Sequence, residues 1–185
     1  AGGVRPSQPS VVGKWLKNVR REAESLALKA ARQLGVADQL MAGKLAEVER
    51  LGMSRALVLS TPEQRASAED IVERLGKRAA GIYDQAVMHV PVESAEKARK
   101  VALELKADGC VAIGGGSTTG LGKAIALTSA LPILAIPTTF AGSEMTPIQG
   151  ITESGVKKTV RDPRMLPKTV IYDPNLLLSL PAKIA

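Results

Sequence analysis

With 185 residues, 45% of them hydrophobic and 23% charged, the chain has the length and balance of one globular domain with a real core, and too little for two. An aromatic content of 2% excludes the exposed stacking platforms that single-stranded nucleic acid needs, and a lone cysteine, Cys110, excludes an internal disulfide or a cysteine-built zinc site. The formal net charge of +7 is lopsided, because eight Lys/Arg up to Lys44 stand against only Glu22, Glu24 and Asp38, a surplus of five in that stretch.

Residues 1–13 are rich in Gly, Pro and Ser, have no period, and read as disordered or loosely attached. From Lys14 to Met41 apolar residues recur at helical spacing (Trp15, Val19, Leu26, Leu34, Leu40), with a break expected at Gly35. A solvated helix or an added extension accounts for the basic charge of this arm; contact with nucleic acid is the alternative, and the charge is its only support. Lys44–Arg50 reads as a helix with Leu45, Val48 and Leu51 on one face and Gly52 as its stop. Ala56–Leu59 is an aliphatic strand ending in Ser60-Thr61-Pro62, and a helix follows to Leu75, with proline in its first turn and Gly76 past its end. Ala79–Tyr83 is a second strand, His89–Pro91 a turn, and Glu93–Leu105 a helix whose apolar stripe is mostly alanine. Cys110–Ile113 is a third strand, Gly114–Gly116 a glycine loop, Thr118–Thr128 a helix and Ile133–Ile136 a fourth strand.

Strands alternating with helices of about a dozen residues predict right-handed crossovers and a parallel sheet. Ile148–Glu153 and Val156–Arg161 flank Ser154-Gly155, the pattern of a β-hairpin; Thr169–Tyr172 follows as a strand, and Asp173-Pro174-Asn175 opens a helix. The expected class is therefore α/β, a Rossmann-like parallel sheet with helices on both faces plus a C-terminal β-hairpin. No run approaches the ~20 apolar residues of a membrane span and no signal peptide opens the sequence, so a cytoplasmic protein without membrane contact is expected.

Two loops carry the chemistry. In Ile113-Gly114-Gly115-Gly116-Ser117-Thr118-Thr119-Gly120 an apolar strand runs into three glycines and a helix leaves them. Glycines admit a pyrophosphate close to the backbone, and a helix N-terminus offers free N–H groups and a positive dipole end. Thr119 stands where the dinucleotide fingerprint has its third glycine, and Lys123 is out of place for a P-loop, so a tight structural turn is the alternative for this loop taken alone. One βα unit later, Pro137-Thr138-Thr139-Phe140-Ala141-Gly142-Ser143 again follows an apolar strand, which puts Thr138, Thr139 and Ser143 at the carboxyl edge of the same sheet, where open α/β sheets bind ligands. Cys110 reads as a buried strand thiol. His89, the only histidine, reads as structural or cofactor-adjacent rather than catalytic, and one histidine does not assemble a metal site. Arg161, Arg164 and Lys168 would attract a dicarboxylate, or form an ordinary basic surface.

The texts GGGSTTGLGKAIAL, LPILAIPTTFAGSEMTPI and GVKKTVRDPRMLPKTVIYDPNLLLSLP resemble the iron-containing (group III) alcohol dehydrogenase superfamily, from about Leu45 to Pro181. Gly120, where most of the superfamily has Asp, and the segment Met88–Glu93 resemble its maleylacetate reductase branch. The resemblance implies a dehydroquinate-synthase-like N-terminal domain followed by an all-helical catalytic domain in a homodimeric enzyme. That enzyme reduces maleylacetate, a small dicarboxylate, to 3-oxoadipate with NADH or NADPH in aromatic-compound degradation. Residues 1–43 are then an atypical basic, partly helical segment, residues 44–185 the dinucleotide-binding domain, and the helical domain lies outside the sequence. Carried over, Gly114, Gly115, Gly116 and Ser117 hold the pyrophosphate; Thr138, Thr139 and Ser143 line ribose and nicotinamide. Ser60 and Thr61 lie near the adenosine ribose, and Lys158 lies near the cofactor. With no carboxylate at Ser60-Thr61 to claim a ribose 2′-OH, NADPH stays open beside NADH. A metal-dependent alcohol or glycerol dehydrogenase of the same superfamily, and a non-catalytic nucleotide-binding fragment, are the alternatives.

Overall fold

The computed structural model describes residues 36–177, apart from His89, Ser154 and Gly155, together with Leu180. The expectations for residues 1–35, for His89 and for the Ser154-Gly155 turn lie outside the described residues. Contacts divide the chain into Ala1–Leu40 and Met41–Ala185, and the architecture below belongs to the second unit. Its elements are α1 (Val36–Arg50, of which residues from Met41 fall in this unit), β1 (Ala56–Leu59), α2 (Arg65–Leu75), β2 (Ala79–Tyr83), α3 (Val92–Glu104), β3 (Gly109–Gly114), α4 (Gly116–Ser129), β4 (Ile133–Pro137), β5 (Ile148–Glu153), β6 (Val156–Arg161), β7 (Thr169–Val170) and α5 (Pro174–Leu177).

Five strands form one parallel sheet in the order β2-β1-β3-β4-β7, and β5 pairs antiparallel with β6 as a separate ribbon. The period-2 alternation of strand side chains divides the core in two. Leu57, Leu59, Cys110 and Ala112 face α3 and α4, joining Ala95, Ala98, Ala102, Leu121 and Ala124. Ala56, Val58, Val111, Ile113, Leu134 and Ile136 face the other way, against Val48 of α1 and Ala68, Ile71 and Leu75 of α2. Aliphatic strands covered on both faces explain how a core is built with almost no aromatics, and the alanine stripe lets α3 lie close to α4. Cys110 is fully enclosed, and burial pushes its thiol up to about 12.

The elements agree with the sequence reading except at their ends. The helix expected at Lys44 begins at Val36, so Gly43 lies within it. Helix α4 begins at Gly116, two residues before the expected Thr118, so the last glycine of the loop belongs to the first helical turn. Strand β7 stops at Val170 rather than Tyr172: Ile171 still donates its N–H to the Ala135 carbonyl, but the Tyr172 hydroxyl turns to Glu144. Lys44, counted by charge with the solvated arm, is instead 5% exposed and paired with Asp173 (Nζ–Oδ2 2.7 Å).

Candidate functional site

The carboxyl ends of β1, β3 and β4 meet at one edge of the sheet. The N–H of Thr138 donates to the Gly114 carbonyl (3.0 Å), which locks the two polar loops together. Gln64, in the turn after β1, donates from Nε2 to the Thr138 hydroxyl (2.6 Å) and brings the first βα loop to the same place. Gly114 has φ +152°, and a Cβ there would run into the side chains of Thr118 and Gln64, so only glycine lets β3 turn into α4 here. The first intrahelical bond runs from Thr119 N–H to the Gly115 carbonyl (3.1 Å), which leaves the N–H groups of Gly116 and Ser117 without an intrahelical acceptor at the positive end of a 14-residue helix.

Two adjoining clefts flank that helix start. One, of about 400 Å³, is walled by Thr61, Gln64, Gly115, Thr138, Thr139, Phe140 and Ala141. The other, of about 320 Å³, is walled by Val90, Gly120, Ser143, Ile148, Gln149 and Gly150. Met88, Gly116 and Ser117 border both, so the helix N-terminus stands between the two. A Cβ at Gly115 would come within 3.0 Å of Thr139, and one at Gly120 within 2.9 Å of Val90 Cγ2, so these glycines also set how closely the walls approach.

The second wall hangs on Lys123. It is the only charged residue of α4 and is fully enclosed. Its Nζ donates to the carbonyls of Ser143 (2.5 Å) and Ile148 (2.8 Å), with the hydroxyls of Ser143 (3.2 Å) and Thr146 (3.3 Å) also in reach. One ammonium thus pins both ends of the loop that carries Ser143 into β5. Desolvation pushes the Lys123 pKa down to about 8, against the attraction of buried Glu144. Glu144 in turn accepts from the Tyr172 hydroxyl (2.9 Å).

A family model described as iron-containing alcohol dehydrogenase matches residues 38–174. The chain belongs to the iron-containing alcohol dehydrogenase family. Among curated relatives it is 64% identical over 138 residues to a maleylacetate reductase of Burkholderia cepacia, covering 75% of this chain and 39% of the relative. A maleylacetate reductase of Sphingobium indicum is 58% identical over 139 residues, with the same coverage. The crystal structure of maleylacetate reductase from Agrobacterium tumefaciens superposes with a TM-score of 0.76 at 54% identity, over 78% of this chain and 41% of that one. The chain therefore spans about two fifths of the length of the relatives it matches.

Of the residues singled out from sequence, the structure of this iron-containing alcohol dehydrogenase family chain brings Gly115, Gly116, Ser117, Thr138, Thr139, Ser143 and Thr61 to the clefts. Gly114 is buried just beneath them. Ser60 is elsewhere: it is fully enclosed at the end of β1, with its N–H given to the Tyr83 carbonyl and its own carbonyl taken by Ala86. Lys158 stands on β6 opposite Ile151. Arg161, Arg164 and Lys168 are exposed and line neither cleft, and the Arg164 guanidinium is held by Asp162 (2.7 Å), whose carboxyl it keeps near 2. Gln64 and Gln149 have no role in the sequence reading, and Lys123 enters it only as a lysine out of place for a P-loop. The signal for Lys123 was one cation in an otherwise uncharged helix; that for Gln149 was one amide in an otherwise uncharged run from Met145 to Ile151.

The family's name implies iron. Among the described residues no three His, Cys, Asp or Glu side chains gather into a possible ligand set, so these residues do not fit a metal centre. No helix among the described residues is long and apolar enough to cross a membrane.

Proposed function

We propose that the paired clefts bind a nicotinamide dinucleotide and that the chain supplies the cofactor-binding part of a reductase acting on maleylacetate. The observation that carries this reading is the start of α4, where the backbone N–H groups of Gly116 and Ser117 lack intrahelical acceptors between two clefts, with no Cβ at Gly115 or Gly116 to hold an anion away. A dinucleotide has that shape: a doubly charged pyrophosphate in the middle and a nucleoside on either side. Gly115, Gly116 and Ser117 would hold the pyrophosphate and Ser143 the nicotinamide side, while Thr138 and Thr139, which the resemblance groups with Ser143 at ribose and nicotinamide, share the other cleft with Thr61 and would take the adenosine side. Bound there, the reduced nicotinamide supplies a hydride; the chain's own part is to place the ring and keep the loops around it fixed. Relatives named maleylacetate reductase, up to 64% identical over three quarters of the chain, support that dicarboxylate as the acceptor. The first cleft is lined by hydroxyls and the Gln64 amide, and the one carboxylate beside it, Glu63, is engaged by the Thr61 side chain, so NADPH stays open beside NADH.

Nucleotide-fluorescence titration of the purified chain is expected to show saturable binding of NADH, NADPH or both, and the tighter of the two is the cofactor preferred. Gly115→Val, which fills the cradle and presses on Thr139, is expected to weaken that binding by at least about tenfold. Equal affinity in the variant would put the pyrophosphate somewhere other than the start of α4.

A further inference from the structure

At the amino edge of the sheet, opposite the two clefts, the last turns of α3 and α4 leave a third hollow of about 590 Å³, larger than either cleft. Its floor is the core itself, Ala102 and Ile125, and the partly buried Ala107 and Leu131 pack against that core as walls. Leu103 stands on the rim and is 76% exposed. An apolar hollow of this size with a few polar groups at its edge is the usual form of a small-molecule site.

The hollow is held in shape by the chain around it. Arg55 donates from Nε (3.0 Å) and Nη2 (2.8 Å) to the Leu105 carbonyl, and Asp108 accepts from the N–H groups of Ser54 and Arg55 (both 2.8 Å), which clamps the turn after α3. Across the hollow, Ser129 donates its hydroxyl to the Ile125 carbonyl (2.8 Å) and so braces the end of α4. Arg99 bridges the two helices, giving Nε (3.0 Å) and Nη2 (2.8 Å) to the Ala124 carbonyl and leaving Nη1 to offer.

The rim is positive. Arg99 and Lys106 line the hollow, and among the described residues no acidic side chain does. The acidic residues beside this turn in sequence are engaged, Glu104 by Lys100 and Asp108 by the two N–H groups. Lys106 has φ +50°, the left-handed position after a helix where the backbone alone favours glycine. Two helix C-termini attract a cation, but they do not require an apolar hollow beneath it. The same helix ends offer carbonyls rather than N–H groups, so the anion cradle at the start of α4 has no counterpart here. An apolar floor penalises a second charge, which excludes a dicarboxylate. One anionic head and one apolar body remain.

We infer that the hollow between the ends of α3 and α4 binds a hydrophobic monocarboxylate, with its carboxylate at Arg99 and Lys106 and its hydrocarbon body over Ala102, Leu103 and Ile125. This is a second ligand site, independent of the dinucleotide reading. It lies at the far end of the helix whose start borders the clefts, about 21 Å away along the axis.

Calorimetric titration of the 185-residue chain with octanoate, butanoate and octanamide tests the assignment. Octanoate is expected to bind saturably and at least about tenfold more tightly than butanoate, because each methylene buried is worth about fourfold. It is expected to exceed octanamide, which has the body without the charge, by at least about tenfold. Lys106→Gly suits the left-handed backbone and Leu103→Glu changes an exposed side chain, so neither threatens the fold. Lys106→Gly is expected to narrow the gap between octanoate and octanamide by about fivefold with octanamide affinity unchanged. Leu103→Glu, which sets a negative charge on the wall, is expected to weaken octanoate at least about tenfold. No saturable octanoate binding, equal affinity for octanoate and octanamide, or full octanoate affinity in either variant overturns the assignment. So does a chain that is dimeric in sedimentation, monomeric as Leu103→Glu and indifferent to octanoate, because the hollow then belongs to a second copy.

Discussion

Lys44→Ala is expected to lower the unfolding free energy by about 3–5 kcal/mol, the range for leaving one partner of a buried ion pair alone. Lys44 and Asp173 are 129 residues apart and nearly enclosed, with side chains 6% and 8% exposed and Nζ 2.7 Å from Oδ2. The carboxylate is fully used: Oδ2 takes the ammonium, while Oδ1 accepts from the backbone N–H of Asn175 (3.0 Å) and from its side-chain amide (3.1 Å). The pair therefore ties α1 to the turn that opens α5. Removing the cation strands a negative charge where water does not reach it, and the capping bonds to Asn175 do not replace a counter-ion. The charge-neutral double variant Lys44→Met with Asp173→Asn keeps an oxygen for Asn175 and removes both charges. It is expected to recover most of the loss, because a neutral, well-packed pair avoids both desolvation penalties. Urea unfolding of the three proteins measures both effects. A loss below about 1 kcal/mol in the single variant would mean that the pair is solvated like an ordinary surface bridge.

That ion pair also marks where the sequence stops being legible. β1 and the hairpin strands β5 and β6 could be read to the residue, because each is an aliphatic or alternating run closed off by Gly, Pro or Ser, and local punctuation sets its ends. The binding edge was legible for a related reason: a strand entering glycines and leaving as a helix is a local pattern with few physical uses. Lys44 was not, since its role depends on a partner far along the chain, and composition assigned it to a basic arm. The start of α4 was misplaced because three successive glycines carry no helical preference, whereas the tertiary contact between Thr138 and Gly114 holds the turn in place and lets the helix begin at Gly116. Ser60 and Thr61 are neighbours just past the end of β1, yet the first is enclosed, its backbone bonded to Tyr83 and Ala86, while the second lines the cleft, a difference set by bonds to residues far along the chain. Gln149 and Lys123 are polar residues in apolar surroundings, a pattern that flags a constraint without saying which. Their meaning lies in what they fail to bond, or bond to, across the fold.

Lys123→Met is expected to change the pH dependence of stability as well as its level. In the folded chain burial holds the Lys123 pKa at about 8, below the ordinary 10.5 of an exposed lysine. Between those two values the unfolded chain carries a proton on this group that the folded chain has lost, so stability rises with pH across the window. Below about pH 8 the fold carries the full cost of the buried ammonium, about 3 kcal/mol at 1.36 kcal/mol per pKa unit. The methionine variant has no such group. Its deficit relative to the parent chain should therefore widen by up to about 3 kcal/mol from pH 8 to pH 10.5. At neutral pH two opposed effects leave the variant closer to the parent: methionine removes the charge, yet it strands the carbonyls of Ser143 and Ile148 that Nζ had satisfied. Those carbonyls bracket the loop that forms one wall of the second cleft, so dinucleotide affinity is expected to fall at every pH. Urea unfolding at pH 7 and pH 10 with parent and variant side by side checks the linkage, and parallel profiles would mean that Lys123 titrates as a solvated lysine. A variant that keeps its nucleotide affinity would show that the loop is held without the ammonium. An unchanged pH profile and an unchanged affinity are separate results, because the first concerns the charge on Lys123 and the second the two ends of the loop it joins.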